Sequence, residues 1–232
     1  QTQNLPVATP YRFDSGLRHH RPWHARRLAV PLFSTARMPP LPPITQALLL
    51  INVAAFCIDI FLGQWFTGAL ALWPLGHGFL PWQVVSYAFL HGSLGHLFFN
   101  MLGLWMFGGE LERMWGQKRF IHFLIAGALS AAVVQIVWTM LIGSNVPTVG
   151  ASGALFALLL AFGMLFPNRI IMPLFPPIPM KAKYFVAIFG GLELVLGFMG
   201  GGGVAHFAHL GGMLGGFLMI RFWRGQSPFG KR

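Results

Sequence analysis

Six apolar stretches, at approximately 46–66, 95–113, 120–142, 150–166, 184–200 and 204–222, divide this chain. Each is near the ~20 residues that cross a bilayer as a helix. A segment in lipid must satisfy its backbone hydrogen bonds within itself, so each stretch is expected to be helical. Composition agrees: of 232 residues, 55% are hydrophobic and 9% charged, against about a quarter charged in an ordinary soluble domain. The expected architecture is an all-α membrane protein, a bundle of six transmembrane helices occupying residues 44–225. A basic, proline-rich, disordered tail is expected over 1–43 and a short basic tail over 226–232.

The net charge of +11 does not indicate a nucleic-acid binder, because the basic residues do not gather on one face of a folded domain. They sit between the apolar stretches: Arg113, Lys118 and Arg119 in one loop, Arg169, Lys181 and Lys183 in another, and Arg221, Arg224, Lys231 and Arg232 at the end. The alternate loops, 67–94, 143–149 and 201–203, contain no Lys or Arg. By the positive-inside rule the basic side faces the cytoplasm. Both termini are then cytoplasmic, as in a multi-pass protein of a bacterial inner membrane. The one cysteine, Cys57, excludes an intrachain disulfide and a cysteine-based metal cluster.

With that orientation, stretches two, four and six all enter from outside. His96, Ser152 and His209 fall within their first few residues, roughly 3–10 Å below the outer helix ends at ~1.5 Å per residue. Polar groups at that depth are costly and read as functional. Ser152, in Gly150-Ala151-Ser152-Gly153, is a candidate nucleophile, and His209, in Ala208-His209-Leu210-Gly211-Gly212, a candidate base. His96 and Asn100, four apart, share a helix face. With the unpaired Ser152 amide at a helix start they make a candidate oxyanion site. Small residues at 211/215 and 212/216 on the sixth stretch, and at 153, 157 and 161 on the fourth, suit close helix packing.

Other intramembrane chemistries fit less well. There is no His-Glu-x-x-His run, and Asp59 is the one aspartate in an apolar stretch, which excludes a two-aspartate protease. A zinc site of His206, His209, His91 and His96 would leave Ser152 and Asn100 without a role. A transporter or channel would carry polar lining across the full membrane depth, and the inner halves of these stretches are nearly apolar. No cofactor is implied. Glu193 lies level with His209 and is expected to serve as a helix-to-helix hydrogen-bond donor outside the reaction, with His206 structural. Residues 67–93 are uncharged and rich in aromatics, including Trp73, Trp82 and Tyr87, and are expected to form a structured loop at the outer membrane interface.

The ordered set His96-Leu97-Phe98-Phe99-Asn100, Gly150-Ala151-Ser152-Gly153 and Ala208-His209-Leu210-Gly211-Gly212 resembles the three signatures of the rhomboid family of intramembrane serine proteases, over roughly 45–224. The resemblance implies a dyad of Ser152 and His209, and an oxyanion site of His96, Asn100 and the Ser152 amide. Gly150, Gly153 and Phe156 support that site. It implies cleavage of single-span membrane proteins near the outer end of their transmembrane segment, so the implied partners are transmembrane substrates and the bilayer. Glu112 looks like the family's structural acid. Gln83 follows Trp82 where many members carry Arg, a departure that bears on how the first loop is anchored. Phe156 stands where well-known members carry Tyr against the histidine, and keeps the stacking ring. The alternative is an inactive member of the same fold that binds transmembrane clients.

Overall fold

Apolar helices account for most of the computed structural model, which describes residues 40–174, 176–199 and 205–225. Of the expected tails, 1–43 and 226–232, residues 1–39 and 226–232 lie outside the described residues, as does the connection at 200–204; residues 40–42 lead directly into a helix that opens at Pro43.

Helix α1 spans Pro43–Leu62. Proline at its first position brings a φ already suited to a helix, but no side chain of its own start caps it. The cap comes from elsewhere in the chain. The Glu112 carboxylate accepts from the backbone N–H of Ile44 at 2.9 Å and of Thr45 at 2.7 Å, and from the Thr45 hydroxyl at 2.7 Å. Two otherwise unpaired helix-start donors are thereby satisfied across more than sixty residues of chain.

Two short helices, α2 (Gln64–Leu70) and α3 (Gln83–Ser86), lie in the first loop. α4 (Leu94–Gly103) follows, and its first turn is closed by Ser93 Oγ accepting from the His96 N–H. It runs through a π turn at Leu104–Gly108 into α5 (Gly109–Trp115). The remaining helices are α6 (Gln117–Ile142), α7 (Ser152–Leu165), α8 (Ala182–Met199) and α9 (His206–Trp223). A two-residue antiparallel pairing of β1 (Ile170–Ile171) with β2 (Met180–Lys181) joins α7 to α8.

The six expected spans therefore appear within a few residues of their read boundaries. Hydropathy alone does not reveal the π turn in the second. Among the described residues, α1, α6 and α8 are long and apolar enough to cross a membrane by length and composition. α7 is apolar but shorter, and α9 carries two histidines, four glycines and Arg221. Large apolar side chains such as Phe61, Trp65 and Leu141 are at least three-quarters exposed, an arrangement suited to lipid and not to water.

α9 packs against α6, α7 and α8, and its glycines divide between two neighbours. A Cβ on Gly212 would lie 1.9 Å from the Gly153 carbonyl oxygen, and one on Gly216 3.1 Å from Ala157 Cα, both on α7. A Cβ on Gly211 or Gly215 would instead meet Ser130 and its neighbours on α6. The expected pairing of α9 with the 153/157 stripe is present. The second stripe serves α6.

The first loop is built around Gln83, which is fully buried. Its Oε1 accepts from the N–H of Trp73 at 3.2 Å and of Leu80 at 3.1 Å, and its Nε2 donates to the carbonyls of Ala69 and Gly78 at 3.4 Å. An arginine could donate but could not accept, so this loop is folded around a neutral amide. Gln83→Leu keeps similar bulk and strands two N–H donors, at about 1–3 kcal/mol each. The variant is expected to melt well below the wild type in detergent. An unchanged melting temperature would show that the loop is held by other contacts.

Candidate active site

Ser152 is the first residue of α7, so its backbone N–H belongs to the turn whose amides lack intrahelical acceptors. The segment before it is pinned on two sides. Thr148 and Leu72 exchange backbone hydrogen bonds at 2.9 Å, and the Gly150 N–H donates to the Tyr87 carbonyl at 2.9 Å. Tyr87 in turn donates its hydroxyl to the Ala128 carbonyl on α6 at 2.8 Å. Gly150 has φ +128°, which side-chain-bearing residues rarely adopt. A Cβ there would lie 2.8 Å from the His96 ring and 3.4 Å from Ser152 Oγ. The glycine is what lets His96 and Ser152 approach the same point.

His209 Nε2 lies 2.8 Å from Ser152 Oγ. The imidazole stacks flat on Phe156, one turn after Ser152, with ring centroids 4.3 Å apart and planes 7° apart. The loss of a tyrosine hydroxyl at 156 thus leaves the stacking surface intact. Gly153 has the role its stripe implied: a Cβ there would press on Ala131 and approach the Ala208 carbonyl. The geometry suits transfer of the Ser152 proton to Nε2, with the imidazole in the tautomer that carries its hydrogen on Nδ1.

Asn100 is buried on α4, with Nδ2 donating to the His96 carbonyl at 2.8 Å and Oδ1 without a hydrogen-bond partner. His96, Asn100, Ser152 and His209 line a single cavity of about 1270 Å³. Its walls come from α4, α6, α7 and α8, including Gln135, Trp138, Phe185 and Phe189. The second Asn100 N–H, the Ser152 N–H and the His96 ring are donors that a developing oxyanion in this cavity can use.

His91 and His96 do not join His206 and His209 in a ligand cluster. His91 packs edge-on to His96 with ring centroids 5.1 Å apart. It is buried, and neither ring nitrogen has a hydrogen-bond partner. Burial, then the neighbouring His96, pushes its pKa down to about 4, so it is neutral near pH 7.

The group that does meet His206 and His209 is Glu193. Its Oε2 lies 2.6 Å from His206 Nδ1 and 2.9 Å from His209 Nδ1. The first contact is a hydrogen bond. The second has the distance but not the N–H direction of one, and His209 Nδ1 has no other partner. Glu193 does link α8 to α9, but as an acceptor and not as the expected donor, because the groups it meets are imidazole nitrogens that can carry the hydrogen. Its contact with the His209 ring itself is new, and it places His206, read as structural, beside the site. The ligand-capable atoms of the three residues lie within 4.8 Å of one another, a spacing that imidazole–carboxylate contact already accounts for.

Fold and site together are those of a helical membrane bundle that holds a serine and a histidine in hydrogen-bond contact on the wall of one cavity. Residues 79–225 match the model of the Rhomboid domain, and the chain belongs to the rhomboid family. It is 34% identical over 124 residues to the rhomboid protease GlpG of Klebsiella pneumoniae, covering 53% of this chain and 42% of that protein. It is 29% identical over 184 residues to the rhomboid protease GlpG of Yersinia pestis, covering 75% of this chain and 62% of that protein. The Yersinia pseudotuberculosis protein of the same name matches to the same extent. The chain thus spans from under half to under two-thirds of the length of these curated relatives.

Proposed function

We propose that this protein is an intramembrane serine endopeptidase that cleaves single-span membrane proteins near the outer end of their transmembrane segment. The observation that carries the reading is the 2.8 Å contact between Ser152 Oγ and His209 Nε2 on the wall of a large cavity.

In the reaction, His209 Nε2 takes the Ser152 hydroxyl proton as Oγ attacks the scissile carbonyl carbon. The resulting oxyanion is bound by the Ser152 N–H, Asn100 Nδ2 and His96. The imidazolium then gives its proton to the leaving amine as the C–N bond breaks, leaving an acyl ester on Ser152. A water, deprotonated by His209, attacks that ester. The acid product leaves and the proton returns to Oγ. Both product termini are polar and favour departure toward water, which suits a site near one membrane face.

The distribution of Lys and Arg among the loops supports a multi-pass protein with residues 44–225 as the membrane domain and the flanking tails inside, and the bacterial relatives support a bacterial cytoplasmic membrane as its place. An inactive, client-binding member of the family would have no need of an intact Ser152–His209 contact.

The test is labelling by a fluorophosphonate, paired with cleavage of a model single-span substrate. Wild-type protein is expected to label on Ser152 and to cleave. Ser152→Ala is expected to do neither while melting normally, since the change removes little packing. Comparable turnover by purified Ser152→Ala would remove the mechanism.

A further inference from the structure

We infer that Glu193 is a positioning residue for His209, so that the working unit is Ser152–His209–Glu193 with His206 holding the carboxylate in place. The inference rests on the serine-protease reading above and extends it beyond two residues.

The geometry runs in one line. Ser152 Oγ lies 2.8 Å from one ring nitrogen of His209, and Glu193 Oε2 lies 2.9 Å from the other. An imidazole can accept the serine proton on Nε2 only in the tautomer that carries hydrogen on Nδ1. A carboxylate facing Nδ1 selects that tautomer and stabilises the imidazolium formed when the serine attacks.

Phe156 and Glu193 divide the work of orientation. Stacking on Phe156 at 4.3 Å and 7° fixes the plane of the His209 ring. Stacking alone is indifferent to a half-turn of the ring about its Cβ–Cγ bond, which keeps the plane but carries Nδ1 and Nε2 away from their present partners. An acceptor on one side and a hydroxyl on the other remove that indifference.

The carboxylate is itself held. His206 Nδ1 donates to the same Oε2 at 2.6 Å, and all three side chains are nearly buried, 9% exposed for each histidine and 12% for Glu193. His206 and His209 lie three residues apart at the start of α9 and converge on one oxygen from α8. In the resting protein the His206 bond is well directed and the His209 contact is not. A small rotation of the ring, as its charge develops, completes the second bond; catalytic hydrogen bonds often tighten in this way.

A mere clamp between α8 and α9 would use the same Glu193–His206 bond, so the experiment must separate chemistry from folding. Glu193→Gln keeps the shape and can still accept from His206, but carries no charge. It is expected to melt like the wild type, with kcat lowered roughly 10²–10⁴-fold and KM changed little. The rate of fluorophosphonate labelling at Ser152 should fall in parallel. Glu193→Asp, which restores a carboxylate, should recover much of kcat. A second measurement needs no variant at this position. In ¹⁵N-histidine-labelled wild-type protein, with the signal assigned by its loss in His209→Ala, His209 is expected as the Nδ1–H tautomer.

A normally folded Glu193→Gln enzyme with kcat within about threefold of wild type overturns the inference and leaves Glu193 a helix clamp, because loss of a true positioning acid costs far more. An Nε2–H tautomer in the wild type overturns it equally, even if Glu193→Gln does not fold. Wild-type protein that fails to label at all overturns the serine-protease reading and this inference with it. Wild-type labelling with an unaffected Glu193→Gln defeats this inference alone.

Discussion

His209→Ala is expected to lose substrate cleavage as completely as Ser152→Ala, by at least about 10³-fold and down to the limit of detection. Nucleophile and base act as one unit, so removing either removes the advantage of both. Without Nε2 at 2.8 Å, the Ser152 hydroxyl stays protonated in a cavity with no other base in contact with it among the described residues. His96 approaches the same point past Gly150, but the hydrogen bond to Ser152 Oγ is made by His209. The truncation also removes the partner stacked on Phe156, so folding must be followed alongside, by melting in detergent. The informative comparison is labelling per folded molecule: His209→Ala should retain Ser152 and yet react with a fluorophosphonate at a small fraction of the wild-type rate. Cleavage by folded His209→Ala at a few per cent of wild type or more, while His206→Ala is inactive, would transfer the role of base to His206.

Gly212→Ala is expected to have the largest effect on stability of any single methyl addition in the bundle. The new Cβ would sit 1.9 Å from the Gly153 carbonyl oxygen and 3.0 Å from Gly153 Cα. These are backbone atoms and cannot rotate aside. α7 and α9 must separate, which opens the seam that sets the Ser152–His209 contact. Ordinary overpacking costs about 1–3 kcal/mol, and a clash with backbone on this scale belongs to the exceptional class above ~4 kcal/mol. The melting temperature should fall by roughly 10 °C or more, and whatever folds should be nearly inactive. Gly191→Ala is the control. It lies in α8 with nothing within 4 Å of the new Cβ, so the substitution should be neutral or stabilising by up to about 1 kcal/mol through helix propensity. Equal melting of the two variants would show that the α7–α9 contact is looser than its geometry.

Much of the fold is legible in the sequence because the relevant forces are local. Hydropathy marks the six helical stretches, and the alternation of basic and uncharged loops orders them. Glycines at four-residue spacing mark α9 as a closely packed helix, and Gly153, Ala157 and Ala161 mark the matching stripe on α7. The approach of Ser152, His209, His96 and Asn100 follows from their place toward the N-terminal ends of three helices. Two features needed more than that. The departure at Gln83 concerns whether an amide can hold the first loop. The answer depends on which backbone groups surround it, and four of them converge on its two polar atoms. The π turn at Leu104–Gly108 has no hydropathy signature, because widening a helix by one residue leaves its composition unchanged.

Glu193 marks the boundary most clearly. Its depth, level with His209, follows from counting residues along α8. Its direction does not, because α8 is apolar on every side and so offers no periodic pattern by which to tell which face meets α9. Residue order alone establishes that this chain is a helical membrane bundle and which residues could react within it, because burial in lipid and helix rise depend on nothing else. Three features come from the packed molecule and not from residue order: Gln83 anchors the first loop, α9 packs its two glycine stripes against different helices, and Glu193 meets both histidines. Each of those depends on the rotation of one helix or loop against another, and that rotation is set by packing between residues far apart in the chain.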